Sequence, residues 1–243
     1  MVVIDENGVR SLKRHDAKPK ADICIFEYIY FARPDSVIEG TSVYEARKVM
    51  GRQLAEDFPV KADLVFGVPD SGICAAIGYS EGSGIPYGEG FIKNKYVGRT
   101  FIKPDQRERE KAVNIKLNVL KSSVKGKRVV MVDDSIVRGT TCAKIIKALK
   151  DAGALEVHMR VSSPPFMWPC HFGTDIPSRE GLMAVKYSIE EIRKIIGADS
   201  LGYLSVESLH KVAGALSCNY CDGCFTGKYP MEVALEDDKL EFE

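Results

Sequence analysis

The chain lacks net charge: its 243 residues carry 34 Lys and Arg against 34 Asp and Glu, and the pI is near 6.9. No overall basicity therefore recommends nucleic acid or an anionic membrane as a partner, and any basic site must be local. No stretch approaches the ~20 apolar residues of a membrane span. The nearest, ICIFEYIYFA, is short and interrupted by Glu27. The opening MVVIDENGVRSLKRHD has no apolar signal-peptide core, so the expected location is cytoplasmic. Internal repeats and low-complexity segments are also missing. The four histidines (His15, His158, His171, His210) form no motif, nor does the single Trp168. Seven cysteines, an odd number without a secretory signal, argue against a disulfide framework and for reduced thiols, some of them on a metal.

What is present is ordinary for a soluble domain with a sizeable core, at 45% hydrophobic and 28% charged residues. VVIDENGVRSL reads as a hairpin around Asn7-Gly8, and a polar, basic linker runs from Lys13 to Lys20. ADICIFEYIYF, rich in aromatic and β-branched residues, reads as a strand. TSVYEARKVMGRQLAEDF reads as a helix, with Ser42 and Glu45 as a capping box. Short apolar runs then alternate with helical patterns: ADLVFGV, ICAAIGYSEG, YGEGFIKN, a helix or irregular segment up to Lys121, RVVMVDD, TTCAKIIKALKDAG and LEVHMRVSS. That alternation predicts an α/β fold, a doubly wound, mostly parallel sheet with helices on both faces. Ligands of such sheets bind at the carboxyl ends of the strands, where VPDSG and VDDSIVRGTT both fall. Beyond Pro164 come two Ser-capped helices, SIEEIRKIIG and SVESLHKVAG, then SCNYCDGC and an acidic tail read as a solvated terminus.

The stretch KGKRVVMVDDSIVRGTT, residues 125–141, raises a chemical question. A buried-looking strand ends at two adjacent like charges, Asp133 and Asp134, and a loop with a glycine and three hydroxyls leads into a helix. The free N–H groups of a helix N-terminus seat a phosphate, Gly139 allows close approach, and Ser135, Thr140 and Thr141 add hydroxyls, with Arg138 as a possible charge. Two carboxylates do not suit a phosphate seat. They do suit ribose hydroxyls and Mg²⁺, which prefers oxygen ligands shared with phosphates. One ligand needs both halves: a phosphorylated sugar carrying magnesium.

These residues resemble the ribose-5-phosphate site of type I phosphoribosyltransferases. The longer motifs FEYIYFARPDS, GVPDSG, KNKYVGRTFIKPDQRERE, VVMVDDSIVRGTT and CFTGKYP are similar, in order from about residue 20 to 230, to the synthase half of the glutamine phosphoribosylpyrophosphate amidotransferase family. The resemblance implies a type I phosphoribosyltransferase fold plus a cysteine-rich C-terminal segment. It implies that Ser135, Val137, Arg138, Gly139, Thr140 and Thr141 bind the 5-phosphate of phosphoribosylpyrophosphate, that Asp133 and Asp134 serve ribose and magnesium, and that Asp70, Ser71 and Gly72 form the pyrophosphate loop, with Ser71 close to the metal. Lys93 to Arg109 holds six basic residues against two acidic ones. By the resemblance this is a loop that closes over the substrate, with Lys93, Lys95, Arg99 and Lys103 as its contacts, Lys93 and Arg99 being placed among the catalytic residues.

Cys218, Cys221 and Cys224 fall three apart, which suits zinc or iron–sulfur; spacing alone favours zinc. The resemblance instead implies a structural [4Fe–4S] cluster on Cys24, Cys170, Cys221 and Cys224, with Cys218 a bystander and Cys74 and Cys142 small core residues. His171, next to Cys170, would shape the surroundings of that cluster.

Three segments are expected: residues 1–20 as the remnant of a glutaminase domain, 21–230 as the transferase domain with a cysteine-bearing part at 165–230, and 231–243 as the acidic tail. A glutaminase of this family needs an N-terminal cysteine nucleophile, and the first cysteine here is Cys24. The chain alone is therefore expected to use free ammonia, unless a separate glutaminase subunit or domain supplies it. The expected reaction forms 5-phosphoribosylamine, the first committed intermediate of purine synthesis. Purine nucleotides are the expected inhibitors, a homo-oligomer the expected assembly, and neither nucleic acid nor membrane a partner. Two other readings stay open: a nucleobase phosphoribosyltransferase, and a phosphoribosylpyrophosphate-binding regulator of purine genes.

Overall fold

The computed structural model describes residues 2–6, 8–11, 22–94, 117–174, 176, 178–213 and 219–233. Its strands are β1 Val2–Asp5, β2 Gly8–Ser11, β3 Asp22–Cys24, β4 Val37–Ile38, β5 Thr41–Ser42, β6 Leu64–Gly67, β7 Phe91–Lys93, β8 Leu117–Val119, β9 Arg128–Asp133, β10 Glu156–Val161, β11 Ser200–Tyr203 and β12 Asn219–Cys221. Its α-helices are α1 Val43–Asp57, α2 Ile73–Ser83, α3 Lys121–Val124, α4 Thr140–Asp151, α5 Met183–Lys186, α6 Ile189–Ile196, α7 Val206–Ala213 and α8 Gly223–Thr226. None of the described helices is long and apolar enough to cross a membrane.

Four strands make one parallel sheet in the order β11-β10-β9-β6, with Val65 opposite Val130, Met159 opposite Met131 and Met159 opposite Leu201. Successive side chains point to opposite faces. Val65, Val130 and Val132 pack with Met50 and Leu54 of α1 and Ala75, Ala76 and Tyr79 of α2. Phe66, Val129, Met131, Val157 and Met159 pack with Ile145, Ile146 and Leu149 of α4 and Ile192 and Ile196 of α6. Burial on both faces explains why β6 and β9 read as continuous apolar runs, while β10 turns His158 and Arg160 to one of its faces. The expected α/β sheet with helices on both faces is what forms.

Helices α1 and α2 approach closely because glycine stands at their crossing. A Cβ on Gly51 would lie 1.9 Å from the Ala75 carbonyl oxygen, and one on Gly78 would lie 2.0 Å from that of Lys48. Ser42 caps α1 by accepting the Glu45 N–H at 3.4 Å, which is one half of the expected box. The complete box forms at α6, between Ser188 and Glu191.

Some expectations need correction. ADICIFEYIYF is not one strand: only Asp22–Cys24 extends, and Glu27–Phe31 coils into a single π-helical turn. Aromatic and β-branched residues mark burial as much as strand, and here they pack against α1 with their backbone carbonyls turned to a buried arginine, Arg47. Leu117–Val119 pairs antiparallel with β7, where helix or irregular structure was expected. The edge strand β11 was unforeseen, since SLGY is short and half glycine and polar. The hairpin forms, with Asp5 opposite Gly8.

Candidate active site

Strand β9 carries Asp133 and Asp134 to the carboxyl edge of the sheet. There Val68 N–H donates to the Val132 carbonyl at 2.8 Å, so the loop after β6 lies against the tip of β9. A Cβ on Gly72 would sit 2.1 Å from the Val132 carbonyl oxygen; only glycine allows that approach. The Pro69–Asp70 peptide bond in this loop is cis.

Asp133 accepts the Asp134 N–H at 2.9 Å and the Ser71 hydroxyl at 3.5 Å, while Asp134 accepts the Ser135 hydroxyl. Burial first, and the charge of Asp134 second, push the Asp133 carboxyl well above the usual carboxylate range. Two carboxylates so placed resist joint ionisation without a cation or hydroxyl donors to receive their charge.

The loop then turns at Gly139, whose φ of 73° lies in the left-handed region. A Cβ there would also meet the Met183 sulfur at 2.4 Å. No side chain caps α4, so its first N–H groups, at Thr140, Thr141 and Cys142, are left to a ligand.

One cavity of about 730 Å³ gathers Ser71, Asp133, Asp134, Ser135, Val137, Arg138, Gly139, Thr140 and Thr141. Gly72 sits beneath it against β9, and Asp70 turns aside to an ion pair with Lys93. Lys93 lines a neighbouring cavity of about 630 Å³ with Pro69, Tyr87, Glu89 and Asn94. Lys95, Arg99 and Lys103 lie outside the described residues. Sequence reasoning missed the largely aromatic part of this lining, formed by Phe26, Tyr30, Phe31, Phe166, Thr174 and Ile176. The aromatic density of FEYIYF was its only signal.

Cys24, Cys170, Cys221 and Cys224 line one further cavity, of about 610 Å³. Strands β3 and β12 pair in parallel with Cys24 beside Cys221, and Thr174 N–H donates to the Cys170 sulfur at 3.4 Å. Burial raises the Cys224 and Cys24 thiols. Burial also works on Cys170, but the N–H groups of Phe172, Thr174 and Gly173 outweigh it and bring that thiol below its ordinary value. Among the described residues, no three His, Cys, Asp or Glu side chains converge as for a single metal ion. The His171 ring meets edge-on, at 4.9 Å, that of Tyr229, which lines this cavity. Cys74 and Cys142 are buried, although Cys142 also touches the active-site cavity; Cys218 lies outside the described residues.

Known proteins resemble this chain in sequence and in fold. The chain is 58% identical to the amidophosphoribosyltransferase of Archaeoglobus fulgidus over 218 residues, which is 88% of this chain and 48% of that protein. It is 53% identical to that of Bacillus subtilis over 237 residues, 96% of this chain and 50% of that protein. The chain thus spans about half the length of the curated relatives it matches. The solved structure of the B. subtilis glutamine phosphoribosylpyrophosphate amidotransferase, complexed with ADP and GMP, superposes with a TM-score of 0.83 at 53% identity, over 97% of this chain and 52% of that one. A structure described as the allosteric regulatory enzyme of purine biosynthesis gives 0.82 at 51% identity, over 97% and 51%. Residues 42–163, from the cap of α1 to the end of β10, match the phosphoribosyl transferase domain, and the chain belongs to that family.

Proposed function

We propose that the chain transfers ammonia to C1 of phosphoribosylpyrophosphate, giving 5-phosphoribosylamine and pyrophosphate, the first step of purine nucleotide synthesis. The observation that carries this is the single cavity holding the Asp133–Asp134 pair, Ser71 and the uncapped start of α4. In this reading the 135–141 loop anchors the 5-phosphate and the aspartates orient the ribose hydroxyls. Nitrogen bonds to C1 as the C1–oxygen bond to pyrophosphate breaks, and the surplus proton leaves to solvent. Neutral ammonia needs no base, so catalysis is positioning and electrostatics. Asp133, Asp134 and Ser71 are oxygen donors that fit Mg²⁺, which would neutralise the leaving pyrophosphate. Lys93, Lys95, Arg99 and Lys103 are proposed to meet the substrate's anionic oxygens.

The four cysteines around one cavity, with backbone N–H groups aimed at sulfur, fit a structural [4Fe–4S] cluster better than one zinc ion. Purine nucleotides are proposed as inhibitors, as the ADP and GMP in the B. subtilis relative support. A homo-oligomer, a glutaminase domain or subunit as ammonia source, and a cytoplasmic location complete the proposal.

The test is product identification by phosphorus NMR. Ammonia, phosphoribosylpyrophosphate and Mg²⁺ should yield phosphoribosylamine and pyrophosphate, and EDTA should stop both. A purine nucleotide formed instead, on adding a free base, would establish the nucleobase transferase.

A further inference from the structure

Arg47 is among the least exposed charged groups in the described residues, at 3%. From α1 its Nε donates to the Tyr28 carbonyl at 2.8 Å, and its Nη2 donates to the carbonyls of Ala32 at 2.8 Å and Glu27 at 3.4 Å. Every one of these acceptors is a neutral backbone group, and all three belong to the π-helical turn Glu27–Phe31 and its exit. A buried cation held by carbonyls alone is a poor device for stability, because its desolvation is not offset by an opposite charge bonded to it. Burial indeed draws the guanidinium below its ordinary pKa, against smaller opposing effects of Cys74, Asp134 and Glu27. Arg47 is therefore bonded, behind the cavity, to the backbone of the turn that supplies its aromatic wall.

What the turn presents explains why its position matters. Phe26, Tyr30 and Phe31 face the cavity, and Phe26 packs on Phe166 with ring centroids 5.4 Å apart. Water competes with ammonia for C1, and attack by water would give ribose 5-phosphate and pyrophosphate. Held in place, the buried Phe26 with the half-exposed Tyr30 and Phe31 would limit the entry of that water from their side. We propose that Arg47 is a positioning residue of this cavity: its guanidinium fixes the carbonyls of residues 27, 28 and 32, so that Phe26, Tyr30 and Phe31 hold their places in the lining it shares with the paired aspartates. The kinetic side of this inference rests on the ammonia-transfer reading.

The experiment compares the full chain with Arg47→Lys and Arg47→Met by two readouts. The first is the fraction of released pyrophosphate that appears with ribose 5-phosphate rather than phosphoribosylamine, per folded enzyme. It should rise tenfold or more in Arg47→Met and by an intermediate amount in Arg47→Lys, which can satisfy some of the carbonyls, while KM for phosphoribosylpyrophosphate stays within twofold. The second is amide hydrogen exchange over residues 26–32, which needs no turnover and should quicken in the same order. An unchanged product ratio in variants whose only defect is a lower Tm would make Arg47 merely structural. Unchanged exchange over 26–32 would overturn the proposal whatever the chain catalyses.

Discussion

At the scale of single residues, the account turns on Asp133 and Asp134. Their adjacency at the end of an apolar strand was legible because no ordinary strand end explains two carboxylates. Their partner Ser71 was legible only through resemblance, since it lies 62 positions away in sequence and meets Asp133 by folding. The same is true of the Lys93–Asp70 pair, which local pattern does not announce. Asp133→Asn and Asp134→Asn should each lower kcat at least ~100-fold, the scale of losing a preorganised electrostatic group, and leave the circular dichroism spectrum unchanged. Retained turnover in both variants would remove the ribose and metal role. Gly139→Ala should cost about 1–3 kcal/mol in urea unfolding, from the left-handed φ and the clash with Met183.

Elements show why some of the fold was readable and some was not. β6 and β9 are apolar runs bounded by polar loops and β10 alternates Val157, Met159 and Val161 with polar residues, and both faces of their sheet are covered, so sequence and structure agree. The FEYIYF turn defeated the reading because Phe26 and Tyr28 are buried while Tyr30 and Phe31 stay half-exposed at the cavity, and that mixture hides any period. Helices α1 and α2 have glycines where a helix prefers alanine, and their meaning appears only at the crossing. Gly78→Ala is expected to destabilise by about 1–3 kcal/mol despite alanine's better helix propensity; a gain in stability would show that α1 and α2 do not touch there. β10 buries His158, whose ring nitrogens lie 3.0 Å from Ser200 Oγ and from Glu156, with Arg160 and Asp199 nearby. Burial first, then Arg160, lowers its pKa, so the folded state binds the proton less readily than the unfolded chain. Its contribution is present above about pH 6.5, the unfolded value, and is lost as pH falls below it. His158→Gln should flatten that acid limb in a Tm-against-pH series.

At the scale of the whole molecule, the cysteine cavity ties distant parts of the chain together. β3 and β12 come from residues 22–24 and 219–221, and Cys170 joins them from the segment after β10. The C-x-x-C spacing was legible; the convergence of Cys24 and Cys170 on it was implied by resemblance and needs the fold to appear. Anaerobically prepared protein should contain about four iron and four sulfide per chain, and its Tm should fall when the metal is removed. Zinc without sulfide would replace the cluster with a single-ion site. The sheet, the loop after β6 and the loop after β9 together make the cavity proposed to take a phosphorylated, magnesium-bearing sugar. The most direct test of that claim is the rate of pyrophosphate release from phosphoribosylpyrophosphate as ammonia is titrated in the presence of Mg²⁺. The account predicts release that saturates with ammonia, disappears with EDTA and is indifferent to added hypoxanthine. Release that requires the base and ignores ammonia would contradict it.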